Sequence, residues 1–372
     1  MNFDTYKVNP DTLVSNAEQV EINRIVKNKA GSKPTEAVEI FSKILYGKDT
    51  SQYGDKVDKV MDKMKDLAIA ANDGDIKARA EINSIRTVTI QQPLEKRLQI
   101  NAMMGNVTNV GMGEELRYEV YELQGEKSRT QASSGAFPFP TVKKRTGIMT
   151  TQTATGGLIV DYRELASGAT DGMAIANEQV ITSITNQMIL SNVNALRDGI
   201  HNATTLKNYA EGITTSNVDA VRKIARRFGN VTIIGDYAAL DKLSGLASFQ
   251  VSATATDVRF PQAVMDEIMA TGLLKSYKGS LVVELPNTYN LVDLNTAGDF
   301  YAPLLPTTDL WFTPQGLLSP LQIGIRAGLT SLTATDINIK SEVTRWDLEY
   351  GNILINEYVP FMGLIYDSAL AE

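Results

Sequence analysis

The 372-residue chain contains no cysteine and only one histidine. Disulfide staples, thiolate metal sites and a cysteine nucleophile are therefore excluded. His201, with no paired Asp or Glu at ligand spacing and no G-x-S-x-G motif, cannot assemble a recognisable zinc site or serine triad. It reads as a surface or cap histidine. Long apolar runs are missing too: nothing approaches the roughly 18 residues that span a bilayer, and the polar stretch from Met1 to Asp11 does not resemble a signal peptide. These features predict a soluble protein made in a cytoplasm, with no membrane partner. Nor is there a basic excess, since 43 Asp and Glu outnumber 36 Lys and Arg and leave a net charge of −7. Gripping phosphates requires a basic surface, so any contact with nucleic acid is expected to be weak.

What is present is enough apolar content, 43% of the residues, for two or three core-bearing units. The central feature is the proline-free stretch from Asp171 to Ile200, which predicts one long helix. Met173, Ala176, Val180, Ile184 and Met188 fall on one side, and Ile181, Ile189, Val193, Leu196 and Ile200 on an adjoining stripe that must be buried. Thr170 or Asp171 can cap its start, and Gly199 weakens its far end. Its opposite face carries Asn177, Ser183, Asn186, Gln187, Ser191 and Asn194, polar yet uncharged. Such a face suits contact with another surface better than open water, and Gln187 and Asn194 are candidate subunit contacts.

Residues before Val88 read as short helices: Asn16 to Lys29, Thr35 to Tyr46, Tyr53 to Ala71 and Ile76 to Ile85. Each is too small to support a core, so their stripes, with Met64 on one of them, are expected to lie against a larger body or a neighbouring subunit, with a free-standing helical bundle as the alternative. From Val88 the pattern turns strand-like, at Val88 to Ile90, Gly105 to Val110 and Leu116 to Leu123. A polar stretch from Gln124 to Pro140 follows, and a second strand-like segment, Thr141 to Thr155, returns from it. Two long arms and a tip make an extended hairpin that would be marginal alone. Lys127, Arg129, Lys143, Lys144 and Arg145 are its candidate subunit contacts, and the cluster Lys143, Lys144, Arg145 reads as a solvated or subunit-facing edge or as a phosphate patch. After the long helix, Val218 to Phe228, Val231 to Ile234, Tyr237 to Leu246, Gln262 to Ala270, Leu281 to Leu285 and Leu310 to Thr313 alternate helix and strand and predict an α/β unit, with a polar loop at Phe249 to Arg259. Ile323 to Ala327, Ile337 to Leu348 and Phe361 to Tyr366 are strand-like.

Chemistry finds little footing. Gly105, Gly111, Gly113, Gly156 and Gly157 follow neither phosphate-binding pattern and read as turn glycines. Asn72-Asp73-Gly74-Asp75 lacks the spacing and closing Glu of a calcium loop and reads as a turn between helices. Asp347 and Glu349 share one face of a strand, but acid–base work also needs a pocket. No enzyme activity, metal or cofactor is expected.

In order, these parts resemble the major capsid protein of tailed bacteriophages, the family with the HK97-type fold. The stretches that carry the resemblance are Val231-Thr232-Ile233-Ile234-Gly235-Asp236, like the family's buried strand before a helix, and Thr344-Arg345-Trp346-Asp347-Leu348-Glu349-Tyr350-Gly351 with Ile355-Asn356-Glu357 and Met362-Gly363-Leu364-Ile365, like its closing segment. The resemblance covers Val88 to Tyr366. It implies an α+β chain with a helical amino-terminal arm (1–98), an extended loop (99–155), a peripheral domain with the spine helix (156–200), an axial α/β domain (201–313) and a strand-rich return (314–372). It implies self-assembly into pentamers and hexamers of an icosahedral virion shell around double-stranded DNA, built in the host cytoplasm, with portal, scaffolding or decoration proteins as further partners. Members often lose an amino-terminal scaffolding segment; with the loop region starting at Gln99, no such cleavage is expected. Some members crosslink subunits through Lys and Asn, and Lys127 is available, but no reactive pair stands out. Two alternatives differ in class: an encapsulin-type shell around a cargo enzyme, and an α/β enzyme.

Overall fold

The computed structural model describes residues 36–122, 143–160, 162–168, 170–201, 208–246, 249–250, 258–259, 274–295, 298–315, 319–326, 328–336 and 341–371. The expected helices at Asn16 to Lys29 and Gln262 to Ala270, and the hairpin tip from Gln124 to Pro140, lie outside these residues.

The chain opens with helices α1 (Glu36–Leu45), α2 (Lys56–Asn72) and α3 (Ile76–Leu98), then the single turn α4 (Asn101–Met104). Gly74, at φ +100°, makes the turn between α2 and α3, and the Asp75 carboxylate accepts the Lys77 N–H at 2.8 Å to cap α3. The first three helices do not wait for a neighbour. With α5 (Tyr162–Ala166) they enclose a core of their own, in which Phe41, Val60, Met64, Leu67, Ile82, Ile85 and Leu165 are buried. The expectation that Met64's stripe lies against a larger body or a neighbouring subunit is thus corrected: several short amphipathic faces converge on one another.

Helix α3 corrects a second expectation, the strand at Val88 to Ile90. Thr87, Val88, Thr89 and Ile90 favour strands by their branched side chains, yet each is buried inside the helix. Val88 faces the amino-terminal core and Ile90 the main core, so packing on two sides overrides local preference. Pro93 inside α3 cannot bond the Thr89 carbonyl, and the Tyr46 hydroxyl donates to that oxygen instead, at 3.1 Å.

Strands follow in the order β1 (Asn106–Val110), β2 (Arg117–Glu122), β3 (Lys143–Ile148), β4 (Gln152–Val160), β5 (Tyr209–Glu211), β6 (Val231–Gly235), β7 (Phe249–Gln250), β8 (Val258–Arg259) and β9 (Ser276–Tyr277). The rest are β10 (Ser280–Glu284), β11 (Tyr289–Leu294), β12 (Tyr301–Pro303), β13 (Asp309–Pro314), β14 (Leu321–Arg326), β15 (Thr330–Asp336), β16 (Ser341–Leu354) and β17 (Gly363–Tyr366). One sheet runs β1-β14-β16-β15, with β4 also paired along β16. A second runs β5-β17-β13-β6-β10-β9. The segment read as one returning strand, Thr141 to Thr155, divides: β3 stays in the hairpin and β4 joins the first sheet.

The spine helix α6 (Asp171–His201) is 31 residues long and bridges the two sheets. Val180, Ile181, Ile184, Met188, Ile189, Val193, Leu196 and Ile200 are all buried, as the stripe predicts, among Ile323, Trp346 and Leu348 of the first sheet and Ile234, Trp311 and Leu364 of the second. On the second sheet's other face, α7 (Thr215–Arg226) and α8 (Tyr237–Gly245) set Val218, Val221 and Leu240 against Ile233, Phe312 and Ile365. Ile233 and Ile234 thus serve two cores, because successive side chains alternate across a strand.

Gly156 and Gly157 lie within β4, not in a turn. A Cβ on Gly156 would sit 2.8 Å from Val180 Cγ1 and 3.1 Å from the Val180 carbonyl oxygen, so the glycine lets the strand approach the spine's backbone.

Candidate functional site

Among its described residues the hairpin buries one side chain, Val120, and its root shows how the body holds it. Strands β2 and β3 pair from Arg117↔Ile148 to Glu122↔Lys143. Val120 alone of β2 is buried, packed in a small cluster with Ile355, Tyr358 and Phe361 of the chain's last segment. The Tyr358 hydroxyl accepts the Tyr121 N–H at 2.7 Å and donates to the Tyr121 carbonyl at 2.8 Å. One phenol therefore satisfies both backbone polar groups of Tyr121, pinning that point of the β2 edge to the body. Burial raises the Tyr358 phenol above its ordinary range, which keeps it neutral and able to donate.

Charge reinforces this hinge. Arg145 on β3 reaches Glu357, and Lys144 reaches Glu119 across the hairpin, both at 2.5 Å. The Glu357 carboxyl is held below its usual range by its own backbone N–H and by Arg145, and the Glu119 carboxyl by Lys144. Two of the three cations read from the sequence as an edge or phosphate patch are thus committed to carboxylates of the same chain. Lys143 is exposed. Lys127 and Arg129 lie outside the described residues.

The spine's polar face also finds partners within the chain. Gln187 uses both ends of its amide on the Thr155 backbone, accepting the N–H at 3.0 Å and donating to the carbonyl at 2.9 Å. Ser191 donates to Gln152 at 3.1 Å, and Asn186 to Thr288 at 2.9 Å. Asn177 is fully buried and accepts from Arg86, itself buried, at 3.0 Å; the Arg86 guanidinium lies 5.2 Å from the Trp346 ring. Asn194 is exposed. For Gln187 the surface that this face meets is β4 of the same chain. Sequence reasoning missed Arg86 and Asn192, the latter buried between Asn101 at 3.0 Å and Asn352 at 2.9 Å. An amide interrupting an apolar stripe was the available signal.

Asp347 and Glu349 are engaged structurally: Asp347 accepts from Arg345 at 2.7 Å and Thr155 at 2.9 Å, while Glu349 pairs with Arg326. Between β1 and the hairpin root lies a groove of about 820 Å³ lined by Asn106, Thr108, Glu114, Arg117, Tyr118 and Gln322. Among the described residues no cluster of His, Asp and Glu could hold a metal ion.

Residues 21–366 match the family model described as "SPbeta prophage-derived putative capsid protein YonB". The chain belongs to this capsid family. It is a structural capsid protein, and its described elements run in the α+β order of helical arm, hairpin, spine helix, α/β unit and strand-rich return. No curated protein matches the sequence. Among solved structures it is similar to Gordonia phage Cozz, with 12% identity over 73% of this chain and 86% of the other at a TM-score of 0.47. The mature capsid of bacteriophage PhiM1 shares 10% identity over 72% and 87% at 0.42, and a virus-like particle from Pyrococcus furiosus 10% over 74% and 97% at 0.41. These likenesses are distant, and membership in the capsid family is carried by the sequence match. Among the described residues no helix is long and apolar enough to cross a membrane.

Proposed function

We propose that this capsid-family chain self-assembles into pentamers and hexamers of an icosahedral shell enclosing double-stranded DNA, formed in the host cytoplasm. The observation that carries this reading is the hairpin, a two-stranded ribbon anchored at its root by Tyr358 and Arg145. A ribbon with no core of its own gains stability by lying on a second copy, and a closed shell supplies that contact to every copy. In this reading residues 201–313 form the axial unit and 156–200 with the returning strands the peripheral one. The net charge of −7 suits a container whose wall must not hold packed DNA tightly. Portal, scaffolding or decoration proteins would join this shell.

Electron microscopy of the chain expressed alone, with analysis of particle contents, tests the proposal. Closed particles with pentamer and hexamer clusters that retain or package nucleic acid are expected. Particles filled with protein cargo would favour an encapsulin-type compartment, and a persistent monomer under all assembly conditions would overturn the shell.

A further inference from the structure

The α/β unit is chemically polarised from one end of its sheet to the other. From Glu284 to Asp309 the sequence holds four carboxylates and no Lys or Arg. From Ala220 to Gly235 it holds four cations, Arg222, Lys223, Arg226 and Arg227, and no carboxylate. The register places these segments at opposite ends. Strand β10 leaves the sheet beside Gly235 and β13 re-enters there, since Glu284 and Leu310 both pair with Gly235, so the described residues between them leave and rejoin the sheet at the carboxyl end of β6. Helix α7 ends just before Val231, and Arg226 donates to the Gly279 carbonyl beside the start of β10, so its cations lie at the amino end.

The acidic end is also apolar and held in place. Strands β11 and β12 form a ribbon on which Tyr289, Leu294, Phe300 and Tyr301 are each 40% to 58% exposed. Tyr289 and Phe300 pack edge to face at 5.1 Å, and Phe300 and Tyr301 at 5.9 Å. Asp293 and Asp299 are exposed beside them. At its base Asn287 donates to Asp236 at 2.7 Å and to the Leu305 carbonyl at 3.0 Å, and accepts the Leu305 N–H at 2.8 Å. The patch is therefore presented by a braced ribbon, which lowers the ordering cost of binding. At the far end Lys223 and Arg227 are exposed next to Phe228, whose ring stacks on Phe361 at 3.8 Å and remains 37% open.

We propose that the ribbon of one copy docks on the basic end of α7 in the next copy, a head-to-tail contact in which Asp293 and Asp299 meet Lys223 and Arg227 while the exposed rings cover Phe228. Complementary charge at opposite ends of one unit fits a second copy of this chain: a heterologous contact leaves one acidic and one basic end free after each addition and ends only when a ring closes. The inference rests on the shell reading and names the surface that forms its rings.

The test uses the full chain in three variants: Asp293→Lys with Asp299→Lys, Lys223→Glu with Arg227→Glu, and all four together. Assembled fraction is read by light scattering and electron microscopy, and folding by thermal denaturation. Each double variant should keep the parent's melting temperature and lose about tenfold or more of its assembly, because two close pairs become repulsive. The fourfold variant, and an equimolar mixture of the two doubles, should recover assembly. Normal assembly of either double, or loss without recovery in both the fourfold variant and the mixture, overturns this contact while leaving the shell intact as a reading. Failure of the unmodified chain to assemble overturns the shell reading, and this contact with it.

Discussion

Replacing Tyr358 by Phe removes one oxygen and little else, and that oxygen serves two backbone groups. The side chain is fully buried beside Val120, Ile355 and Phe361, so the ring stays packed in the variant. What disappears is the acceptor for the Tyr121 N–H and the donor to the Tyr121 carbonyl. A hydrogen bond contributes about 1 kcal/mol net, and a stranded buried partner costs about 1 to 3 kcal/mol. Tyr121 is only half-buried, so water partly replaces the phenol, and a loss of about 1 to 3 kcal/mol in hairpin docking follows. The remaining anchor, Arg145 with Glu357, is more than half exposed on both sides, so water and salt screen most of its attraction. Opening of the root should therefore become roughly five- to 150-fold more frequent. Amide hydrogen exchange on the unassembled full chain reads this directly. Residues 117–122 and 143–148 should exchange faster by that factor, while peptides from the spine helix keep the parent's protection. Unchanged exchange at Tyr121 would show that the phenol is not the clamp, and faster exchange throughout would show that the hairpin root belongs to the global core.

The other expectations concern the body. Met64→Asp places a carboxylate at a position with no exposure, so it should cost about 4 kcal/mol or more and melt the unassembled subunit, seen by circular dichroism; a soluble, folded subunit impaired only in assembly would restore the interface reading of Met64. Gly156→Ala drives a methyl to 2.8 Å from Val180 Cγ1 and should lower the urea midpoint by the equivalent of about 1 to 3 kcal/mol, with partial recovery on adding Val180→Ala; a neutral Gly156→Ala would refute the close approach. For Asp367, burial pushes the carboxyl up, but the Ile213 N–H, the Lys242 ammonium and the Ala369 N–H outweigh it and hold the group below its ordinary 3.8. A depressed folded-state value means that its stabilisation is present above the unfolded value and is lost as pH falls through the folded one. Asp367→Asn should therefore cost about 1 to 3 kcal/mol at neutral pH, with the gap between variant and parent closing below about pH 4, and a gap independent of pH would sink this account.

The parts legible in the sequence were those with one buried side and one wet one. The spine showed its stripe because Val180, Ile184, Met188 and their neighbours face two sheets while Gln179, Gln187 and Asn194 stay outside. The middle of α3 hid for the opposite reason. Ile85, Arg86, Thr87, Val88, Thr89 and Ile90 are buried in succession, so no helical period survives to be read, and branched side chains then suggest a strand. Met64 hid differently: its stripe was visible, but a stripe states only that it will be covered. Which helix covers it depends on turns such as the one at Gly74, where a few dihedrals decide whether α2 and α3 face each other. Gly156 was misread because glycines are common in turns, whereas a glycine flanked by the strand-forming segment Thr153 to Val160 marks a backbone approach.

The same limit governs the contact residues. An uncharged polar side chain on a helix announces that hydrogen bonds will be made, yet not with whom. Inside one chain the answer comes from counting what remains after the chain has satisfied itself. Gln187 spends its carbonyl and its amide on Thr155, Lys144 is paired with Glu119, and Arg145 with Glu357. A neighbour that recruited any of them would first have to break an existing bond, and exchanging one exposed ion pair for another gains almost nothing. On the ribbon Asp293 accepts from the neutral amide of Asn290 at 2.6 Å and Asp299 from that of Asn295 at 2.9 Å, and a carboxylate so bonded keeps acceptor sites to which an incoming cation can be added without breaking them. Lys143 on the hairpin, Asn194 on the spine, and the acidic ribbon with the basic end of α7 are therefore the places where a second copy gains most by binding, and assembly should be more sensitive to changes there than at Gln187, Lys144 or Arg145.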